Sequence, residues 1–204
     1  MKKLLLAAAT TAVLSTSAMA AENMFYFRMD GGANMFTKKT TNAVSFKGKT
    51  FGSLDLGVGN SVMDNMRAEL VLHKPFNPES KGKGVGGYKT KATITALMLK
   101  GYIDVMDFSA GKAFLGAGVG LAQVKDKLTW GSPAAGSVGF KKKNNLAYTV
   151  GAGAGFDVAD GVKLDTQYNF SGYGKAKSAV LNGTTISAPK RDAHSVKVGV
   201  RFDI

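Results

Sequence analysis

The chain has 204 residues, no cysteine, 45% hydrophobic residues and a formal net charge of +13. The absence of cysteine excludes disulfides, thiol catalysis and cysteine-held metal. The length suits one domain, and so basic a balance favours acidic partners.

The first twenty residues read as an export signal. Lys2 and Lys3 form a positive start, residues 4–14 are apolar and Ala-rich, and Ala18-Met19-Ala20 places small residues at a cleavage point. Cleavage after Ala20 is expected, which divides the chain into a signal at 1–20 and one domain at 21–204 with a net charge of +11. The apolar run is too short to cross a bilayer as a helix. Later uncharged runs, at 113–124 and 144–156, are 12 and 13 residues long and rich in glycine. A spanning helix needs ~20 apolar residues, so the exported chain either stays in water or crosses as a closed barrel. Export also removes nucleic acid from the possible partners.

From there the sequence alternates with period 2. Phe25, Phe27, Met29, Ala33 and Met35 fall on one parity, with Tyr26, Arg28, Asp30 and Asn34 on the other. Leu54, Leu56 and Val58 oppose Ser53 and Asp55; Ala68, Leu70 and Leu72 oppose Arg67, Glu69 and His73; Leu97, Leu99 and Ile103 oppose Met98, Lys100 and Tyr102. Ala113, Leu115, Val119 and Leu121 oppose Gly116, Gly118 and Gly120. Leu146, Tyr148, Val150 and Phe156 oppose Thr149, Gly151 and Gly153. Val162, Leu164, Tyr168 and Phe170 oppose Lys163, Asp165 and Gln167, and Val196, Val198, Val200 and Phe202 oppose Ser195, Lys197 and Arg201. That predicts eight strands.

Alternation also occurs in soluble antiparallel sheets. Three features favour a membrane barrel. The polar parity carries both signs of charge, so a narrow lumen would fill with paired ions. The apolar parity lacks Lys and Arg for the length of a span, where one at mid-bilayer costs ~2–4 kcal/mol. Connections alternate in length: short at 60–65, 105–111 and 159–161, long at 37–50, 74–91, 125–143 and 171–192. The expected fold is all-β, an eight-stranded antiparallel transmembrane β-barrel with four long outer loops and short periplasmic turns. The glycines on the inward parity of the fifth and sixth strands leave room for Phe114, Tyr102 or Arg67 and ease curvature.

The C-terminal run from Lys197 to Ile204 resembles the assembly signal of outer-membrane barrels, with Gly199, Phe202 and the terminal Ile204 at its key positions and Ile in place of the usual Phe. That resemblance implies insertion by the barrel-assembly machinery. Several segments are similar to a narrower family, the small outer-membrane adhesins of Rickettsia, which belong with the opacity-type and outer-membrane-protein-A-type barrels. They are Val62-Met63-Asp64-Asn65-Met66-Arg67-Ala68-Glu69-Leu70, Gly101-Tyr102-Ile103-Asp104, the run from Phe114 to Gly120, Phe156-Asp157-Val158-Ala159-Asp160-Gly161-Val162-Lys163, Tyr173-Gly174-Lys175-Ala176-Lys177, and Val200-Arg201-Phe202-Asp203. The resemblance implies binding to host epithelial-cell surface proteins and to the serum protein vitronectin. It does not assign loop residues.

The four long loops carry a net +15, so the rest of the exported chain sums to −4. The candidate ligand-binding residues are therefore loop cations: Lys38 and Lys39 in the first; Lys81 and Lys83 in the second; Lys125, Lys127, Lys141, Lys142 and Lys143 in the third; Lys175, Lys177, Lys190 and Arg191 in the fourth. Trp130 and Phe140 flank the third loop as candidate anchors, with Lys141 to Lys143 as its main contact. A one-sided positive field steers acidic partners and is screened over ~8 Å at physiological salt. The alternative is a structural barrel whose rim lysines neutralise lipopolysaccharide phosphates.

Catalysis at the rim needs a His beside a carboxylate or Ser. His73 and His194 have opposite parity and would not share a site, so no enzyme is expected, and no metal or cofactor. Gly116-x-Gly118-x-Gly120 continues as a strand and lacks dinucleotide spacing.

Overall fold

A computed structural model describes residues 25–41, 44–76, 78–83, 87–131, 135–181 and 183–204, with side chains excluded at 39–41, 44–47, 83, 181 and 184. The expected signal segment lies outside the described residues. The strands in chain order are β1 (Phe25–Phe36), β2 (Lys39–Thr41), β3 (Val44–Gly48), β4 (Thr50–Met63), β5 (Met66–Pro75), β6 (Glu79–Lys83), β7 (Lys89–Phe108), β8 (Gly111–Trp130), β9 (Gly136–Ala159), β10 (Val162–Gly172), β11 (Ala179–Leu181), β12 (Thr184–Ile186) and β13 (Asp192–Asp203). Eight of them close a ring. β1 pairs β4, β4 pairs β5, β5 pairs β7, then β7–β8, β8–β9, β9–β10, β10–β13 and back to β1, every pair antiparallel. Closure leaves the ring no open edge, which is what lipid requires of a backbone.

The eight predicted strands match these eight. Two-residue turns, Asp64-Asn65, Ser109-Ala110 and Asp160-Gly161, join them at one end. Gly161 has φ +67, which a side chain would strain. The outward parity is apolar and exposed, with Met29, Leu56, Leu72, Leu99, Val119, Val150, Tyr168 and Val198 among its members. On β8 the uncharged outward run from Ala113 to Gln123 spans about 34 Å of strand, or about 26 Å at a tilt of about 40°. That matches the apolar band of an outer-membrane barrel, about 25 Å tall.

The lumen is filled in layers. Near the turn end, Arg67 stacks over Tyr102 and Phe114, and Arg201 over Tyr26. Next comes Arg28, with Nε 2.9 Å from Asp30 and Nη1 3.3 Å from Glu69. Above it Asp55 holds Lys100, Lys197 and His73 together. The glycines make this filling possible. A Cβ at Gly116 would sit 2.7 Å from the Tyr102 ring, and one at Gly153 would sit 2.5 Å from the Phe114 ring.

Two expectations need correction. The 125–143 connection is not a loop: β8 and β9 run on as a hairpin to Trp130 and Gly136. In the same way β7 begins at Lys89, inside the predicted second loop, and β6 adds to its edge. Nor do paired ions fill the whole lumen. Its outer part is an apolar core of Phe36, Phe51, Val71, Ile94, Met98, Val124, Leu128 and Phe140. The cause is sequence: above Lys100 and Thr149 the inward parity of β7, β8 and β9 is almost uncharged, with Asp126 and the exposed Lys143 the exceptions.

Replacing Asp55 with Asn leaves two buried ammonium groups uncompensated, which costs about 3–5 kcal/mol. The folded barrel, followed by its heat-dependent gel migration across a urea series, is expected to unfold at markedly lower urea in D55N. An unchanged midpoint would mean that the Asp55 layer does not stabilise the barrel.

Candidate functional site: the plugged outer mouth

The outer mouth is closed by the segment between β10 and β13. Tyr173 N–H donates to the Arg191 carbonyl and Arg191 N–H to the Gly174 carbonyl, so the two ends of the segment pair with each other. Gly174 has φ +77, which lets the chain turn over the rim. Between these ends Ala176 and Ala188 drop into the apolar core, and Ala179 and Ile186 of the β11–β12 hairpin pack against it. The neighbours of Ala176 point the other way: Lys175 and Lys177 are exposed. Backbone contacts fix them, with Asn145 Nδ2 donating to the Lys175 carbonyl and Lys177 N–H donating to the Lys141 carbonyl.

Two side chains bolt this lid down. Arg191 is 2% exposed; its Nη2 lies 2.6 Å from Asp126, its Nη1 donates to Ser80, and its guanidinium stacks 5.0 Å from the Phe36 ring centre. Tyr173 stacks on His73 and its hydroxyl pairs with Nε2 of that ring, linking the lid to the Asp55 layer. Burial pushes the Tyr173 phenol up, so it stays neutral.

The predicted binding residues therefore separate. Arg191 is not a surface cation; it is a buried anchor, because a lone Asp126 in the apolar core needs its charge. Phe140 is 1% exposed and belongs to the core. Trp130 is half-buried against that core and covers Gly136, where a Cβ would meet its ring at 2.5 Å. Lys38, Lys81, Lys175, Lys177 and Lys190 are exposed around and above the mouth. Lys125, Lys127, Lys141 and Lys142 are exposed too, but on the outward wall of strands β8 and β9, while exposed Lys143 stands opposite the inward Val124. The side chains of Lys39 and Lys83 lie outside the described residues. His73 and His194 face opposite ways, as parity predicted: one is buried in the lumen, and the other pairs with Tyr168 on the outside. Gly199 lies against Asp30, while Phe202 and Ile204 are exposed at the turn end.

A family model described as outer membrane protein beta-barrel domain matches residues 6–202. A protein of Rickettsia akari and one of Rickettsia felis are each 36% identical over the whole of both chains, and both carry the name "Putative adhesin". Among solved structures, Neisserial surface protein A superposes with a TM-score of 0.56 at 16% identity, over 88% of this chain and 97% of that one. Outer membrane protein OprG of Pseudomonas aeruginosa gives 0.58 at 16% identity, over 89% and 97%. At that identity the structures speak for the fold alone.

If Arg191 bolts the lid, Arg191→Ala releases it without opening the ring. Amide hydrogen exchange across 173–190 is expected to speed up at least about tenfold, while β1 and β13 amides stay protected. Unchanged protection of the segment would show that the apolar contacts alone hold it.

Proposed function

The chain belongs to the outer membrane protein β-barrel family, and from that membership we propose that it is a surface adhesin that binds acidic host-cell surface proteins through the lysines around its plugged mouth. It resides in the outer membrane, with the long connections at the cell surface. The supporting observation is that full-length relatives at 36% identity are named for adhesion while this chain's cations gather at the outer end.

The physical case rests on rigidity and charge. The lid is held at both ends, so Lys175 and Lys177 project from a fixed platform, and little ordering entropy is lost on binding. Lys190 stands at the same rim, 3.6 Å from Asp192, and Lys38 follows the end of β1. Such a field speeds encounter with acidic segments and weakens as salt rises. The lid lysines, rather than Lys141 and Lys142 on the wall or Lys143 beside them, are therefore the main contact. Vitronectin is a candidate soluble partner of the same surface. No catalytic role is assigned to His73, whose ring is occupied by Asp55 and Tyr173. We also read residues 1–20 as a signal removed on export, and the end at Ile204 as the strand taken up by the barrel-assembly machinery.

The test displays the barrel on a non-adherent bacterium and counts cells bound to epithelial monolayers. The native chain is expected to raise binding, and K175Q/K177Q/K190Q to reduce that gain by about fivefold and flatten its salt dependence. Immobilised vitronectin provides a second arm. If the native barrel confers no binding in either arm, the adhesin reading is wrong.

A further inference from the structure

A second basic surface lies apart from the mouth. Lys91 on β7 stands directly opposite Lys127 on β8 and Thr93 opposite Lys125, with a bulge at Lys125 where Lys141 and Lys142 crowd in from β9; Lys143, opposite the inward Val124, keeps the lumen parity. Like charges directly opposite in a sheet destabilise it. Among the described residues one carboxylate stands beside them: Glu79 on β6 is opposite Lys91, and its own ion pairs go to Lys49 and Lys89, while Asp126 points inward to Arg191. Five outward lysines on three adjacent strands thus face a single neighbouring carboxylate.

Their position is informative. Lys91, Lys125 and Lys127 share the outward parity of the lipid-facing residues, so they point sideways from the wall and not up from the mouth. The last uncharged outward row holds Thr95, Gln123 and Asn144, with Lys74 bonded to Thr95 on the strand beside it. Lys125 is two residues above that row, about 5 Å in height at a strand tilt of about 40°. That is headgroup depth.

Lower on the same strands the wall is grooved. Ala68, Gly101 and Ala117 form one row of small outward residues, bounded above by Leu99, Val119 and Tyr148. The groove has a volume of about 690 Å³, and a Cβ at Gly101 would meet nothing within 4 Å. Ala117 lies six residues below Gln123, about 16 Å in depth, near mid-bilayer, where an outer-leaflet acyl chain ends.

We propose that this sector of the wall, Lys91, Lys125, Lys127, Lys141 and Lys142 above the Ala68–Gly101–Ala117 groove, is a binding site for a phosphorylated acylated glycolipid of the outer leaflet. The lysines take the phosphates and the groove takes the end of one acyl chain. A soluble polyanion would use the lysines and have no use for the groove. This site is independent of the adhesin surface on the lid.

The experiment places the barrel in phosphatidylcholine nanodiscs with bisphosphorylated lipid A, or with the same lipid dephosphorylated, and counts lipid retained after transfer to zwitterionic detergent by native mass spectrometry. Heat-dependent gel migration confirms that each variant is folded. The native barrel is expected to retain the bisphosphorylated lipid at least tenfold better than the dephosphorylated one. K91Q/K125Q/K127Q is expected to lose that preference. G101L, whose Cβ enters open space in the groove, is expected to lower retention of lipid A while leaving capture of a heparin oligosaccharide unchanged. Retention that is equal for both lipids, or unaffected by the lysine variant, overturns the proposal. So does displacement of lipid A by inorganic phosphate or heparin at matched charge, with G101L behaving as native; that result would mark a soluble-polyanion surface.

Discussion

Inside a bilayer no water is available to a backbone N–H or carbonyl, and the rest of this structure follows from that. Eight strands satisfy it by closing on themselves, from β1 round to β13 and back. Eight strands also make a narrow tube, so inward side chains must fill it. They do so by type. Guanidinium groups stack on Tyr102, Phe114 and Tyr26; carboxylates and ammonium groups gather around Arg28 and Asp55; and the outer part is apolar and sealed by the lid. Glycines on the inward parity admit the large rings, and this is why strands so poor in side chains are stable here.

The outward parity meets a different solvent at each height. Up to the row of Thr95, Gln123 and Asn144 it faces hydrocarbon and is free of charge. Above that row the same parity, on the same strands, carries Lys91, Lys125 and Lys127. The lid then presents Lys175 and Lys177 in a third direction, away from the membrane. One basic end thus offers two surfaces, a wall toward lipid headgroups and a cap toward whatever lies outside the cell. A net charge alone cannot distinguish them; parity and height do.

Period 2 made the eight strands readable, because burial on one face and lipid on the other repeat at every second residue. It also separates His73 from His194, and it places Arg28, Asp55 and Lys197 inside. The outer extension of β7, β8 and β9 was harder to read. Lys125, Lys127 and Lys141 to Lys143 look like loop charge, although Ile94, Val124, Leu128 and Phe140 continue the inward parity through the same stretch and could have revealed it. Arg191 was not readable at all. Its burial depends on Asp126, 65 residues away, and on Ser80, and no local pattern announces such a pairing. The lid alanines, 176 and 188, gave no signal for the same reason: a small residue is buried only because something else covers it.

The central claim is a closed, sealed barrel whose cations face the cell exterior, and it can be read by amine labelling. Intact cells are treated with a membrane-impermeant lysine reagent and the protein is mapped by mass spectrometry. Lys81, Lys175, Lys177 and Lys190 are expected to label in intact cells, Lys112 and Lys163 only after the outer membrane is permeabilised, and Lys100 and Lys197 only after unfolding. Labelling of Lys100 or Lys197 in intact cells, or protection of the lid lysines there, would contradict the sealed, outward-facing mouth.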